Sequence, residues 1–411
     1  MTRIVVTGMG AISPLGAGVA RVWEALCRGE SGIRDVTRFD AKDFPYTRGG
    51  EIRDFRLPPD VGSAGATADL ATQFMLTAAA EALRDGRLAD DAALLADTGV
   101  VLSTNFGGVL SGEKVMAERL GKGQAQAADF DEFLFQTCAD RVARHWHLGG
   151  PRNMLSLSCA SGAAAIGYGL ELIRRGRARA VLTGGYDALS RFAWSGLSAL
   201  RTMTKDAVRP FDKNRSGTIF SEGAAALLIE DEDSARRRGA KIYAAVAGAG
   251  MNNNAFHITA PAKEGAGSAA VMRMALSDAG LQPEDIDHIN AHGTGTKPND
   301  VTETQAIKAV FGPHAYAMPI TSIKSMIGHM MGAAGSLEAI ASVLSIRDGV
   351  IPPTTNYRDP DPECDLPCVT NVKRTMRIRS VLSNSAGIGG CNAAVIFSGG
   401  RTEKRKARGA T

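Results

Sequence analysis

One cysteine and two histidines in this chain each open a run of small residues, and that shared setting is where chemistry is best sought. Cys159 lies in Ser156-Leu157-Ser158-Cys159-Ala160-Ser161-Gly162-Ala163-Ala164-Ala165-Ile166-Gly167-Tyr168-Gly169, a polar turn leading into a helix with little side-chain bulk. Unpaired N–H groups and the macrodipole at a helix N-terminus favour a thiolate, which makes a cysteine nucleophilic near neutral pH. The same segment suits a buried cysteine beside a packing helix, at the centre of the molecule or at a subunit interface.

His292 lies in His288-Ile289-Asn290-Ala291-His292-Gly293-Thr294-Gly295-Thr296, where a strand ends in a glycine-punctuated loop. Ligands bind at such strand ends in parallel sheets. His292 suits a hydrogen bond to a developing oxyanion, and Thr294 and Thr296 suit holding a polar chain; alone, His292 equally suits bracing its loop. His288 reads as structural. His329 closes Thr321-Ser322-Ile323-Lys324-Ser325-Met326-Ile327-Gly328-His329 and opens a second small-residue helix running to Glu338. A positive helix end disfavours protonation, so His329 is expected to be a neutral hydrogen-bond donor. A lysine such as Lys324 usually snorkels to the surface; buried, it needs a carboxylate such as Glu338. In Leu382-Ser383-Asn384-Ser385-Ala386-Gly387-Ile388-Gly389-Gly390-Cys391-Asn392 the glycines let backbone N–H groups converge, which suits an oxyanion hole or an ordinary turn. A cysteine protease pairs its histidine with an Asn or Asp that makes it a base. Two donor-like histidines suit an enolate or thioester oxygen better.

The elements that must position these residues follow from length and pattern. At 411 residues the chain is two or three units or one large α/β body. The net charge of +4 speaks against a nucleic-acid binder built on phosphate neutralisation, while leaving room for a basic patch toward an acidic partner. No apolar run approaches about 18 residues, so no membrane span is expected, and Met1-Thr2-Arg3-Ile4-Val5-Val6-Thr7-Gly8 reads as a strand feeding a turn rather than a signal peptide. Six cysteines without a ladder of spacings fit reduced thiols in a cytoplasmic protein, Cys364 and Cys368 being structural.

Three matches recur in the same order about two hundred residues apart. Ile4 to Thr7 answers Ala244 to Ala247, Ala82 to Leu88 answers Ala275 to Leu281, and Arg179 to Thr183 answers Arg379 to Ser383. They predict a duplicated half-chain. Strands at Gly99 to Thr104, Ala178 to Leu182, Ile286 to Ala291 and Arg379 to Leu382 alternate with helices at Ala164 to Arg174 and Met330 to Ser345. This predicts two parallel sheets stacked around shared central helices. The expected division is 1–243, 244–400 and a basic tail at 401–411.

These segments, with Arg209-Pro210-Phe211-Asp212-Lys213 and Phe220-Ser221-Glu222-Gly223-Ala224, resemble elongating β-ketoacyl-acyl carrier protein synthases of the thiolase-like superfamily along nearly the whole chain. The resemblance implies a five-layer αβαβα body of two pseudo-symmetric α/β halves, the first carrying the nucleophile Cys159 and the second both histidines. It implies that His292 and His329 polarise a malonyl thioester and that Lys324 and Glu338 order the site. Thr294 and Thr296 would hold a phosphopantetheine arm, and the N–H groups of Cys159 and Ile388 would form the oxyanion hole. Asn290, Glu338, Ser383 and Asn384 match positions around a structural Na+ or K+ in some members, with Asn384 also supporting the site. No redox or nucleotide cofactor is implied. The partners would be acyl- and malonyl-loaded acyl carrier proteins and a second subunit, identical or a chain-length partner. Lys205, Arg209, Lys213 and Arg215 are candidates for a basic rim facing the acidic carrier.

Where the family reads Asn-Ser-Phe-Gly-Phe-Gly-Gly-Thr-Asn, this chain has Ala386, Ile388 and Cys391. Ile388 replaces a gating phenylalanine, which implies a smaller or looser gate. Asn254, where housekeeping members often carry Asp, together with Lys297-Pro298-Asn299-Asp300 and Asp361-Pro362-Glu363-Cys364-Asp365-Leu366, leans toward ketosynthase subunits of type II polyketide or polyene systems. The alternatives are a fatty-acid-elongating 3-oxoacyl synthase, a non-condensing acyltransferase, and a chain-length partner, against which Cys159 speaks.

Overall fold

The computed structural model describes residues 3–400; the basic tail expected at 401–411 lies outside them. Eleven strands carry the architecture: β1 (Ile4–Ser13), β2 (Gly16–Ala17), β3 (Thr98–Ser103), β4 (Arg152–Leu155), β5 (Ala180–Asp187), β6 (Gly223–Asp231), β7 (Ala244–Asn253), β8 (His288–Asn290), β9 (Ile320–Thr321), β10 (Ser380–Ala386) and β11 (Cys391–Ser398). The first half runs β1-β6-β5-β3-β4 and the second β7-β11-β10-β8-β9. Position for position the two orders have the same senses, two antiparallel pairings followed by two parallel ones. The sequence repeats fall on equivalent places in this pattern: β1 with β7, and the start of β5 with the start of β10.

Two expectations are corrected here. Each half is a mixed sheet rather than an all-parallel one. The halves are also not separate sheets, because β1 pairs antiparallel with β7 at Val5–Ala245 and Val6–Ala244. The short shared ladder pairs one end of each edge, and further along carboxylates take over: Met9 and Ala11 N–H donate to Asp85 and Glu81, and Ala249 N–H to Asp278.

Helices cover the sheet in layers. On the outside, α1 (Leu70–Asp85) and α2 (Phe135–His145) pack on the first half, and α4 (Ala266–Ala279), backed by α5 (Lys297–Phe311), packs on the second. Between the halves lie α3 (Ser161–Arg174) and α6 (Ala334–Asp348), which touch strands of both halves and each other. This is the five-layer αβαβα order. Strands covered on both faces carry unbroken apolar runs, and β1 is buried at every position.

The small residues of α3 and α6 are explained by how closely the helices approach. A Cβ on Gly162 would lie 2.6 Å from the Ser336 nitrogen, and one on Gly335 would lie 2.6 Å from the Ala163 nitrogen. The α3 stripe therefore serves the molecular centre. Met331–Ala333 form a tight 3₁₀ turn, so α6 proper starts at Ala334, later than its periodicity predicts. No helix among the described residues is long and apolar enough to cross a membrane.

Candidate active site

Cys159 sits just ahead of α3, almost fully buried. Its turn is tied by Ser161, whose hydroxyl accepts from Leu157 N–H at 2.7 Å and donates to the Ser158 carbonyl at 2.6 Å. Ser158 holds a left-handed φ of 53°, a conformation that a non-glycine residue keeps only under constraint. The glycine loop after β10 closes on this turn. A Cβ on Gly387 would come within 3.0 Å of both the Cys159 nitrogen and the Leu157 oxygen, and the Ile388 N–H is directed at the thiol.

The helix end is expected to favour a thiolate, and burial works against it. Burial pushes the Cys159 thiol above its ordinary value, while the Ser158 hydroxyl, the charge of Lys324 and the Ile388 N–H pull the other way. Desolvation of the anion outweighs these, so the neutral thiol is the resting form.

Both histidines are buried and held well below the usual imidazole range, first by burial and then by the nearby charge of Lys324. Their rings stand nearly perpendicular, 5.4 Å apart. The partners decide the tautomers. His329 Nδ1 accepts the Met331 N–H at 3.1 Å, so its proton is on Nε2, a buried atom with no partner within the protein. Lys324 Nζ lies 3.3 Å from His292 Nδ1. An ammonium only donates, so His292 also carries its proton on Nε2. Helix position led to the expectation that His329 is a neutral donor; burial and Lys324 are the physical causes. His288 faces away from this centre, its Nδ1–H donating to the Pro319 carbonyl at 2.9 Å.

Lys324 is fully buried and paired with Glu338 of α6. Lys324→Ala should destabilise the protein by about 3–5 kcal/mol, because it leaves the Glu338 carboxylate buried without its partner. A denaturant midpoint equal to wild type would contradict that pairing.

Sequence reasoning missed two carboxylates. Glu303 on α5 accepts the backbone N–H groups of His292 and Gly293, both at 2.8 Å, and the Asn384 side chain at 2.7 Å. Its signal was an acid at i+3 from Asp300 on a helix that follows the histidine loop directly. Asp187, which ends β5, accepts from the Thr104 hydroxyl at 2.7 Å and the Gly332 N–H at 2.7 Å. A carboxylate finishing a fully buried strand was the available clue.

Several oxygens around Glu338 lack partners, among them Asn290 Oδ1, Glu338 Oε2, Ser383 Oγ, Asn384 Oδ1 and Ser385 Oγ. Asn290 and Ser383 stand opposite each other on β8 and β10, and Asn290 donates to the Glu338 carbonyl at 3.0 Å. One carboxylate with neutral oxygens is a hard donor set, of the kind that suits a hard cation rather than a soft one.

Cys159, His292, His329 and Ile388 line one cavity of about 690 Å3, within the size range of small-molecule sites. Thr294 and Thr296 line it too, their hydroxyls 2.9 Å apart. The expected basic rim is corrected at Arg215, which is buried and paired with Asp361 and, at 3.8 Å, with Asp300. Arg209 pairs with Asp206 at 2.7 Å. Lys205 and Lys213 are exposed, as is Arg201, which sequence reasoning passed over; Arg201 and Lys213 line the cavity.

Comparisons with known proteins agree over nearly the whole chain. The family descriptions "Beta-ketoacyl synthase, N-terminal domain" and "Beta-ketoacyl synthase, C-terminal domain" match residues 1–235 and 243–358. The chain is 38% identical over 405 residues to the 3-oxoacyl-[acyl-carrier-protein] synthase 2 of Synechocystis sp., covering 96% of this chain and 97% of that protein. Among solved structures, the ishigamide ketosynthase/chain length factor is 36% identical with a TM-score of 0.90, covering 97% of this chain and 99% of the other. A ketosynthase bound to the hexaketide, in complex with its type II PKS acyl-carrier protein, is 31% identical with a TM-score of 0.89, again over 97% and 99%.

Proposed function

The chain belongs to the beta-ketoacyl synthase family of thiolase-like condensing acyltransferases, and we propose that it joins an acyl group carried on Cys159 to a malonyl unit delivered by an acyl carrier protein. The observation that carries this reading is that Cys159 and two neutral histidines, each with Nδ1 engaged by the protein and Nε2 left to donate, line a single cavity.

In the first half-reaction Cys159 sulfur attacks an acyl-carrier thioester. The N–H groups of Cys159 and Ile388 receive the oxyanion, and the carrier leaves as a thiol with the proton that Cys159 gives up. Malonyl-carrier then enters, with its pantetheine arm against Thr294 and Thr296. His292 and His329 donate Nε2–H to the thioester oxygen, carbon dioxide leaves, and the charge collects on that oxygen as an enolate. Both imidazoles are buried, so the malonyl carboxylate is desolvated beside them, which favours its loss. The enolate carbon bonds to the acyl carbonyl, Cys159 departs as thiolate, and solvent returns its proton. Lys324 keeps His292 in the donor tautomer. Asn290, Glu338, Ser383 and Asn384 would hold a monovalent cation, whose charge would steady Glu338 and through it Lys324.

The exposed cations Arg201, Lys205 and Lys213 suit the docking of an acidic carrier. All six cysteines are free, which suits the reducing cytoplasm. The second subunit is a copy of this chain or a chain-length partner, two cases that native mass spectrometry separates.

The polyketide or polyene reading is supported by Ile388 at the gate and by the likeness to the two ketosynthases above. Fatty-acid elongation is favoured instead by the likeness to 3-oxoacyl synthase 2. A panel of saturated, polyunsaturated and polyketo acyl-carrier donors, read by intact mass, distinguishes them. We expect the unsaturated or oxidised chains to load faster, and preferential loading of long saturated chains would select the fatty-acid reading. Ile388, half-buried at the cavity wall, predicts that Ile388→Phe narrows the accepted range. An unchanged range would remove Ile388 from specificity.

A further inference from the structure

Asp187 contacts no part of the cavity that a substrate would occupy, yet it joins the pieces that carry the site. Its Oδ1 accepts from Thr104 Oγ1 at 2.7 Å, Asn105 N–H at 3.1 Å and Phe106 N–H at 3.0 Å; its Oδ2 accepts from Gly332 N–H at 2.7 Å. The loop after β3 and the turn after His329 are thus held by one carboxylate.

That turn is strained. Met331 holds a left-handed φ of 51°, a conformation that persists only when its surroundings impose it. This geometry aims the Met331 N–H at His329 Nδ1. The next N–H, that of Gly332, is the one Asp187 takes. The approach leaves no room for a side chain, since a Cβ on Gly332 would lie 2.8 Å from Asp187 Oδ2 and 2.9 Å from Thr104 Cα. On the other side Asn105 Oδ1 lies 3.4 Å from the Ser161 hydroxyl, whose proton goes to the Ser158 carbonyl, so the same unit borders the turn of Cys159 without a strong bond to it.

We propose that Asp187 is a positioning residue for the condensation step, clamping the loop after β3 to the strained Met331 turn and so fixing the Nε2–H of His329 toward the cavity. The inference rests on the condensing function proposed above. An ionised carboxylate is the right clamp because it only accepts, and all four of its partners donate. A protonated acid or an amide would turn a donor toward an N–H.

Burial raises the Asp187 carboxyl to about 6 despite these donors. The groups around it that titrate are His329 on the clamped turn, Cys159 ahead of α3, Tyr186 on its own strand, and Glu222, which precedes the Gly223 that pairs with Asp187; the loop 104–107 carries none. Cys159 and Tyr186 are shifted upward and His329 downward, so none of these three changes charge near that value; burial also raises Glu222, against the pull of Arg38, and its contribution survives in Asp187→Asn. The clamp is therefore intact above about pH 6 and released as pH falls through it. The stability linkage has the opposite sign: a raised carboxyl favours the fold at low pH, so Asp187 makes activity fail on the acid side without unfolding the protein.

The test is single-turnover condensation on full-length protein that has been acylated at pH 8, freed of donor, and mixed with saturating malonyl-carrier between pH 5 and 8. Wild type should lose condensation below about pH 6 while its tryptophan fluorescence stays native. Asp187→Asn should load acyl groups within twofold of wild type, condense about tenfold or more slowly at pH 7.5, and lack the acid limb. Asp300 also lies near 6, beneath the Thr294–Thr296 loop; its protonation should change KM for the carrier, and its contribution survives in Asp187→Asn. Condensation by Asp187→Asn within twofold of wild type overturns the proposal. So does an equal fall in loading and condensation, or an unchanged acid limb. If Asp187→Asn does not fold, a wild-type condensation rate flat from pH 5 to 8 overturns it alone. Wild type that loads but releases no carbon dioxide at any pH would instead defeat the function on which the proposal rests.

Discussion

Cys159→Ala protein incubated with an acyl-carrier thioester should gain no mass, whereas wild type gains one acyl group. No other cysteine lines the cavity with the two histidines. Cys138 and Cys364 are buried and pushed up to about 12, and Cys27 is raised to about 11. Cys391, on the strand after the glycine loop, lies 3.4 Å from the Asn253 amide. It is the residue whose acylation in the Cys159→Ala protein would move the nucleophile elsewhere. The pH dependence of loading follows from the same burial. The Cys159 thiol is raised, so the thiolate fraction and the loading rate should climb about tenfold per pH unit through neutrality. A loading rate independent of pH from 6 to 8 would mean that the thiolate is already formed.

The second large effect belongs to the imidazoles. His329→Ala and His292→Ala should each take up the acyl group normally and then fail to extend it. Loss of one preorganised donor to a developing oxyanion costs about 10²–10³-fold. Loading is spared because the oxyanion of that step faces the N–H groups of Cys159 and Ile388 rather than either ring. His292→Ala carries a further cost, since Lys324 loses the acceptor at 3.3 Å. Of the two, His329→Ala is therefore the cleaner test. Rapid mixing of malonyl-carrier with each acylated variant, followed by release of carbon dioxide, separates the steps. Extension within tenfold of wild type would remove that histidine from the condensation.

The chemistry was legible in the sequence because its residues sit at punctuation: Cys159 before a small-residue helix, His292 after a strand, His329 before a second such helix. Their partnership was less so. Lys324 could be assigned to Glu338 only on condition of burial, and burial is a tertiary fact. The carboxylates that hold the backbone, Glu303 and Asp187, carry no local signal because the groups they serve lie in other elements. Arg215 looked like a rim cation for the same reason: Asp361, which pairs with it, is 146 residues away.

The fold divided similarly. Strand and helix positions and the internal repeat followed from apolar runs and Gly-Leu turns. Strand sense did not, because β5 and β6 are antiparallel neighbours joined through a long connection, and nothing in a strand's own residues states its direction. The bridge between the halves rests on two residue pairs, Val5–Ala245 and Val6–Ala244. It depends on two edges meeting in space.

The most direct measurement is a single-turnover experiment followed by intact mass: acyl-carrier first, then isotope-labelled malonyl-carrier. One acyl group is expected on Cys159, then its disappearance on malonyl addition as labelled carbon dioxide is released and a carrier-bound β-ketoacyl chain two carbons longer forms. An acyl group that stays on the protein with no carbon dioxide released, or a protein that takes up no acyl group from any donor, would contradict condensation through Cys159.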